Sequence, residues 1–251
     1  MELDIKGKVA LITGSSKGIG FSIAQALYKE GCNVVLNGRN AMDLIYSSER
    51  LNNSMYIQGD VTKPNEAKQT VEEVLKKFQK LDILICNVGN GQSVKPGNET
   101  YDEWQRIFLS NLWSTTNSVE AATDALEASK GNIVCISSIC GLEMIPGAPV
   151  TYSAAKAALN SYVRGISRPL GKKGIRINAV APGNIIFDGS VWEKKNIESP
   201  EETNKMLATE VSLNRFGKVK EVANLVTFLA SPRSDFVTGS VWTMDGGQIR
   251  S

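Results

Sequence analysis

The sequence predicts an α/β fold: a doubly wound parallel sheet of seven strands with helices on both faces. Short β-rich runs alternate with longer helical patterns along the whole chain. Most of these runs are apolar on both sides of the alternation, as in strands covered on both faces. The first run leads through a glycine-rich turn, ITGSSKGIG from Ile12 to Gly20, into a helical pattern. Alternation sustained over this many elements builds a parallel sheet, and right-handed crossovers set its helices on both faces.

The strand runs are KVALIT (8–13), NVVLN (33–37), SMYIQ (54–58), DILIC (82–86), NIVCIS (132–137), IRINAV (175–180) and SVWTM (240–244). Helical patterns fall near 18–30, 41–51, 64–79, 101–128, 151–173 and 218–230. In EAKQTVEEVLKKF, residues Val71, Val74, Leu75 and Phe78 recur at three- and four-residue spacing, which gives that helix one apolar face. No linker or low-complexity tract interrupts the pattern, so residues 1–251 read as one domain. The longest irregular segment is 184–217, NIIFDGSVWEKKNIESPEETNKMLATEVSLNRFG. A stretch of that length in a compact domain is usually functional or mobile. ESPEET, with Pro200 in the first turn, marks a helix start within it. Phe187, Trp192 and Met206 favour a substrate lid over a solvated excursion.

Composition removes several function classes. A formal net charge of +2 is too small to direct the chain to nucleic acid or a membrane surface. The chain has no histidine, so no histidine general base is available. Its four cysteines, Cys32, Cys86, Cys135 and Cys140, form no C-x-x-C pair, and no metal site is expected. Their apolar surroundings suit the reduced, buried thiols of a cytoplasmic protein. The N-terminus MELDIKGK is charged and lacks an apolar signal segment. No run approaches the roughly 20 apolar residues of a membrane span.

The glycine turn matches neither G-x-G-x-x-G nor the P-loop G-x-x-x-x-G-K-[ST]. Its place after the first strand is nevertheless where a doubly wound sheet binds phosphates. Gly14, Gly18 and Gly20 allow close backbone approach to a ligand, with Ser16, Lys17 and Ile19 between them. The N–H groups at the helix start favour an anion. An NAD site usually presents Asp or Glu about 20 residues further on, to bond the ribose hydroxyls. Here the second strand runs into Gly38, Arg39 and Asn40, with no acid. A carboxylate would repel a 2′-phosphate, whereas a guanidinium binds it, and Lys17 can approach the same group. NADP(H) is favoured over NAD(H).

The segment TYSAAKAAL opens a helix with Tyr152 and Lys156 four apart on one face. A tyrosine is a poor base near neutral pH. A neighbouring ammonium stabilises tyrosinate, so Lys156 is expected to lower the Tyr152 pKa and fit the tyrosine for proton exchange with a substrate oxygen. Ser137 and Ser138 end the strand NIVCIS on the side where such sheets bind ligands.

TGSSKGIG, NVG (87–89), Asn111, Ser138, Tyr152 and Lys156, the pair Pro182–Gly183 and the ending TGSVWTMDGG stand in one order. In this the whole chain resembles the short-chain dehydrogenase/reductase family, in its single-domain members of about 250 residues with a Rossmann-type sheet. The resemblance implies that Ser138 polarises the substrate carbonyl or hydroxyl. Tyr152 would pass the proton, and Lys156 would tune Tyr152 and bind the nicotinamide ribose. Asn111 would hold a water linking Lys156 to solvent. Asp60 and Val61 would border the adenine, Asn87 and Gly89 its ribose, and Ile185, after Pro182 and Gly183, the carboxamide. It also implies a homotetramer.

Three features depart from that pattern. Ser138 and Tyr152 are 14 positions apart where 13 is common, and the loop GAPVT is expected to absorb the extra residue. Where the family often has a threonine beyond Pro182–Gly183, this chain has Asn184, Ile185, Ile186 and Phe187. Pro169 falls inside the Tyr152 helix and is expected to kink it or to begin a new turn.

The candidate substrate surface, Cys140 to Val150 plus 184–214, mixes Leu142, Met144, Ile145 and Trp192 with Glu143, Asp188, Glu193, Lys194 and Lys195. It reads neither as a deep apolar pocket nor as a basic dock. The leading expectation is an NADPH-dependent, 3-oxoacyl-reductase-like carbonyl reductase. Alternatives are a sugar or polyol dehydrogenase, with Asn184, Asp188 and Glu193 meeting hydroxyls, or a non-catalytic nucleotide-binding regulator.

Overall fold

The computed structural model describes residues 2–52 and 54–250. Seven parallel strands form one sheet: β1 (Val9–Ile12), β2 (Asn33–Gly38), β3 (Met55–Gln58), β4 (Ile83–Cys86), β5 (Asn132–Ile136), β6 (Arg176–Pro182) and β9 (Val241–Met244). Their spatial order is β3-β2-β1-β4-β5-β6-β9, so the direction of winding reverses between β1 and β4. That reversal opens a crevice at the carboxyl ends of the strands, where such sheets take ligands.

Side chains along the central strands divide between two cores. Ala10, Ile12, Ile83, Ile85, Val134 and Ile136 pack on one face with α1 (Gly18–Lys29) and α9 (Val219–Leu229). Val9, Leu11, Leu84, Cys86, Ile133 and Cys135 pack on the other. There they meet α3 (Pro64–Phe78), α5 (Ser114–Ser129) and α6 (Val150–Lys172). Both alternating sets are buried, which is why the strands read as apolar throughout. Val71 and Val74 of α3 are buried, with Leu75 and Phe78 packed beside them, as the spacing predicts. The remaining helix on the sheet, α2 (Ala41–Glu49), follows β2.

One expectation about helices changes. The pattern over 101–128 is not one uniform α-helix. It is α4 (Tyr101–Phe108), a π-helical turn (Leu109–Trp113) and then α5. Local side-chain donors explain the change. Asn111 Nδ2 donates to the Ile107 carbonyl at 3.0 Å, Ser110 Oγ to Ile107 at 3.2 Å and Ser114 Oγ to Ser110 at 2.7 Å. They take carbonyls that an α-helical ladder would use, and the turn widens. The helix α6 continues through Pro169 to Lys172 without beginning a new element. Leu159, Val163 and Leu170 are buried along its length and hold it to the sheet.

The segment 184–217 is structured. A short strand β7 (Ile185–Ile186) pairs in parallel with β8 (Gly217–Lys218). Between them stand α7 (Val191–Glu198) and α8 (Pro200–Glu210), the latter with Pro200 in its first turn as ESPEET suggests. Ser190 caps α7 by accepting the Glu193 N–H at 3.0 Å. Trp192 packs on Phe216 with ring centroids 5.7 Å apart, and Met206 Sδ accepts from Asn184 Nδ2 at 3.5 Å.

Pro169 is exposed and interior to α6. Replacing it with alanine restores one helical hydrogen bond, since interior proline costs an α-helix up to about 3 kcal/mol. Pro169→Ala is expected to raise the melting temperature by several degrees in a calorimetric scan, on a scale of roughly 2–4 °C per kcal/mol for a chain of this size.

Candidate active site

The crevice is lined first by the turn between β1 and α1. Gly14 has φ +62° and Gly18 has φ +58°, left-handed conformations that suit glycine. Added side-chain atoms would collide with neighbours at all three glycines. At Gly14 the Cβ would stand 3.0 Å from Val88, and at Gly18 2.6 Å from the Phe187 ring. At Gly20 it would meet the Gly14 carbonyl and lie 2.5 Å from Asn87 Nδ2. The fold braces this turn from beneath. Asn87 Nδ2 donates to the Thr13 and Gly14 carbonyls at 3.1 and 2.8 Å, and Ser47 Oγ to the Ser16 carbonyl at 2.6 Å. Lys17 is exposed, and Ile19 is half-buried against the core.

Past the end of β2, Arg39 is 78% exposed, and its Nη1 stands 3.9 Å from Asp60 Oδ2. Asn40 caps α2 by accepting from Asp43 N at 3.2 Å. Asp60 is held in turn, since its Oδ1 accepts from Thr62 N and Oγ1 at 3.1 and 2.8 Å. Val61 is buried, and its carbonyl accepts from Asn117 Nδ2 at 3.2 Å. The Arg39–Asp60 pair joins the ends of two adjacent strands and cannot be read from the sequence of either.

The second group of residues follows β4, β5 and α6. Ser137 and Ser138 part company there. Ser137 Oγ donates to Asn160 Oδ1 at 2.6 Å, so it belongs to the packing of α6. Ser138 accepts the Cys140 N–H at 3.2 Å and starts a 3₁₀ turn (Ile139–Gly141). A loop runs from Leu142 to Pro149 after that turn, and Tyr152 sits in the first turn of α6. Lys156 is 3% exposed; its Nζ donates to the Ile136 carbonyl at 2.8 Å and lies 5.8 Å from the Tyr152 ring centroid. A Cβ added at Gly89 would lie 2.9 Å from Asn111 Oδ1 and 3.1 Å from Lys156 Nζ. Asn111 and Lys156 therefore converge on one glycine. A Cβ at Gly91 would meet the Tyr152 ring at 3.7 Å.

Beyond Pro182, Gly183 N donates to the Met244 carbonyl at 3.0 Å, and Ile185 is buried in β7. Ser138, Tyr152, Lys156 and Asn111 thus stand together past β4 and β5, beside the glycine turn. Arg39 and Asp60 flank the far end of that turn. Two neighbours are not evident from sequence patterns. One is Cys140, beside Ser138, and its only signal is its position two residues later. The other is Phe187, which lies on Gly18 where a threonine is common in the family.

The charges correct one expectation. Burial pushes the Tyr152 phenol up to about 12, the Ser138 hydrogen bond opposes this, and Cys140 adds to it. Burial pushes the Lys156 ammonium down to about 8. Burial is the largest influence on both groups, and it moves the phenol upward where the sequence pattern predicts a lowering. The resting phenol keeps its proton.

A family model described as enoyl-(acyl carrier protein) reductase matches residues 14–248. The chain is 34% identical to the 3-oxoacyl-[acyl-carrier-protein] reductase FabG of Staphylococcus epidermidis, over 96% of this chain and 98% of that protein. It is 32% identical to glucose 1-dehydrogenase 2 of Bacillus subtilis, over 98% and 96% of the two chains. Among solved structures, the L-sorbose reductase of Gluconobacter frateurii complexed with NADPH and L-sorbose superposes with a TM-score of 0.93 at 27% identity, covering all of both chains. A 7α-hydroxysteroid dehydrogenase complexed with NADH gives 0.91 at 29%, covering all of this chain and 97% of that one.

The buried lysine has a consequence that needs no ligand. Its pKa falls from 10.5 to about 8 on folding, so the ammonium destabilises the folded state in full below pH 8, and the penalty is gone by about pH 10.5. Lys156→Met removes that penalty and one hydrogen bond, for a net gain of about 2 kcal/mol. The variant is expected to melt several degrees above wild type at pH 7, and melting curves taken across pH 7–10.5 should converge.

Proposed function

The chain belongs to the short-chain dehydrogenase/reductase family, and on that premise we propose that it is an NADPH-dependent, 3-oxoacyl-reductase-like carbonyl reductase. The observation that carries the reading is the convergence of Ser138, Tyr152, Lys156 and Asn111 beside a glycine turn with no room for side chains. The turn fits a dinucleotide: its glycines allow close approach, and α1 begins at Gly18, where backbone N–H groups face an anion. Arg39 and Lys17 fit a 2′-phosphate, which would compete with Asp60 for the Arg39 guanidinium, 3.9 Å from that carboxylate. NADPH stands in the structure of the sorbose reductase and NADH in that of the steroid dehydrogenase.

When bound, the nicotinamide supplies the hydride to the carbonyl carbon or takes it from the alcohol. The chain's own residues do the rest. Ser138 offers its hydroxyl proton to the substrate oxygen while its Oγ accepts the Cys140 N–H. Tyr152, kept protonated by burial, gives its proton to that oxygen as reduction proceeds. Lys156 spends one N–H on Ile136 and has two left for the nicotinamide ribose. Asn111, which meets it at Gly89, holds a water that connects Lys156 to solvent. Asp60 and Val61 border the adenine, Asn87 and Gly89 its ribose, and Ile185 offers its backbone to the carboxamide. The whole chain acts as one NAD(P)-binding domain with its substrate lid in 184–217.

A sugar or polyol substrate is the second reading, favoured by the glucose dehydrogenase and sorbose reductase relatives. Two of the polar lid residues it would use are already engaged: Asn184 with Met206, and Glu193 with the Gly189 N–H. No feature of the relatives supports a non-catalytic regulator. Exposed Tyr101, Leu109 and Trp113 along α4 and its π turn support burial against further copies, as in a homotetramer. No helix among the described residues is long and apolar enough to cross a membrane, which is consistent with a cytoplasmic enzyme.

Turnover of acetoacetyl thioesters, keto-sugars and diketones with NADPH and NADH tests the reading. Tyr152→Phe is expected to lose about 10³-fold in kcat, the range of a general acid. Nucleotide binding without turnover of any ketone would overturn it. Replacing Lys17 and Arg39 together with alanine is expected to raise the Kd for NADPH about 100-fold, the worth of two charge-assisted bonds. In fluorescence titrations NADH should change little, because Asp60, no longer facing Arg39, does not meet a phosphate there.

A further inference from the structure

Behind Tyr152 runs a chain of hydrogen bonds that the reaction as described does not use. Thr151 is fully buried, and its Oγ1 lies 2.6 Å from Ser93 Oγ. Ser93 Oγ lies 2.6 Å from Glu103 Oε1. Arg106 closes the chain with Nε on Glu103 Oε2 at 2.8 Å and Nη2 on Oε1 at 2.7 Å. The same Arg106 Nη2 donates to the Gln92 carbonyl at 2.9 Å.

The chemistry fixes the direction of this chain. Arg106 and Ser93 hold the Glu103 carboxyl down to about 2, so it is ionised and has no proton to give. Ser93 must spend its one hydroxyl proton on Glu103, and the Ser93–Thr151 contact therefore has Thr151 as donor. The order is Thr151 to Ser93 to Glu103, with Arg106 donating from the other side. The chain ties down two things at once. Thr151 precedes Tyr152 in the first turn of α6. Ser93 and Gln92 belong to the loop whose Gly91 lies under the Tyr152 ring. At its other end this loop is held to Asn111, whose Oδ1 accepts from Asn90 N at 3.0 Å and whose Nδ2 donates to Asn90 O at 3.1 Å.

We propose that Glu103 is a positioning residue for the reaction, acting through Ser93 and Thr151 to set the Tyr152 phenol against the Ser138 hydroxyl. Glu103 never touches substrate or nucleotide. It anchors the α6 turn and the 90–94 loop to one fixed charge pair on α4, so that Tyr152 and Asn111 share a frame. The proposal rests on the reading of Tyr152 as the proton donor, and its test has an arm that needs no turnover.

In that arm, 3-fluorotyrosine placed at position 152 reports the phenol's surroundings by ¹⁹F NMR in the full-length protein. Wild type is expected to give one narrow resonance. Ser93→Ala and Glu103→Gln should each shift or split it, while Glu99→Gln, in the same loop but outside the chain, should leave it unmoved. In the kinetic arm, with whichever ketone of the panel is turned over, Ser93→Ala and Thr151→Val are expected to lower kcat about tenfold, well within what a small misplacement of a reacting group costs. The Kd for NADPH should stay unchanged, and Thr151→Ser, which keeps the hydroxyl, should restore the rate. An unmoved resonance in Ser93→Ala and Glu103→Gln would overturn the proposal, as would a kcat within twofold of wild type. So would a loss of NADPH affinity equal to the loss in kcat. A moved resonance with no ketone turned over would instead sink the reductase reading and leave the positioning role standing.

Discussion

The site is organised around the buried ammonium of Lys156. A charge this far from water needs hydrogen-bond partners, and the first is the Ile136 carbonyl at the end of β5. That bond sets the depth of the α6 helix over the sheet and, four residues earlier, the place of Tyr152. Two loops then close on the lysine, and each does so at a glycine. A Cβ at Gly89, after β4, would stand 3.1 Å from the ammonium; one at Gly141, after β5, would stand 2.5 Å from the Lys156 backbone. Neither loop could approach with a side chain there. The parallel register that sets Cys86 beside Cys135 delivers both loops to the same level.

The sheet was legible because a strand covered on both faces has no polar side to disguise it, and all seven runs become strands within a residue or two of their expected ends. The glycine turn and the Tyr152–Lys156 spacing were legible for the same local reason: each lies within one short stretch of chain. What escaped reading depends on contacts between elements or on competition within one. The π turn at Asn111 looks helical in sequence, because Ser110, Asn111 and Ser114 reveal their claim on the preceding carbonyls only once the helix is built. Asp60 and Arg39 come from different strands, and their pairing appears only when β2 and β3 lie side by side. The upward shift of the Tyr152 phenol is not legible because the sequence shows the neighbouring charge but not the burial of the phenol.

Phe187 connects the two halves of the crevice. Its ring rests on Gly18, at the head of α1, where a side chain of any size would strike it. Its own N–H is held by Ser190 Oγ at 3.2 Å, and the same oxygen caps α7 through Glu193 N. The glycine turn, the aromatic ring and the first lid helix are therefore joined in one continuous path. Where a hydroxyl would have offered a hydrogen bond to a ligand, this chain offers an apolar surface fixed to the lid. Through Ser190 the Phe187 backbone is tied to the start of α7, and Trp192 in turn packs on Phe216. The segment proposed as the substrate lid is thus anchored on the turn proposed to hold the nucleotide.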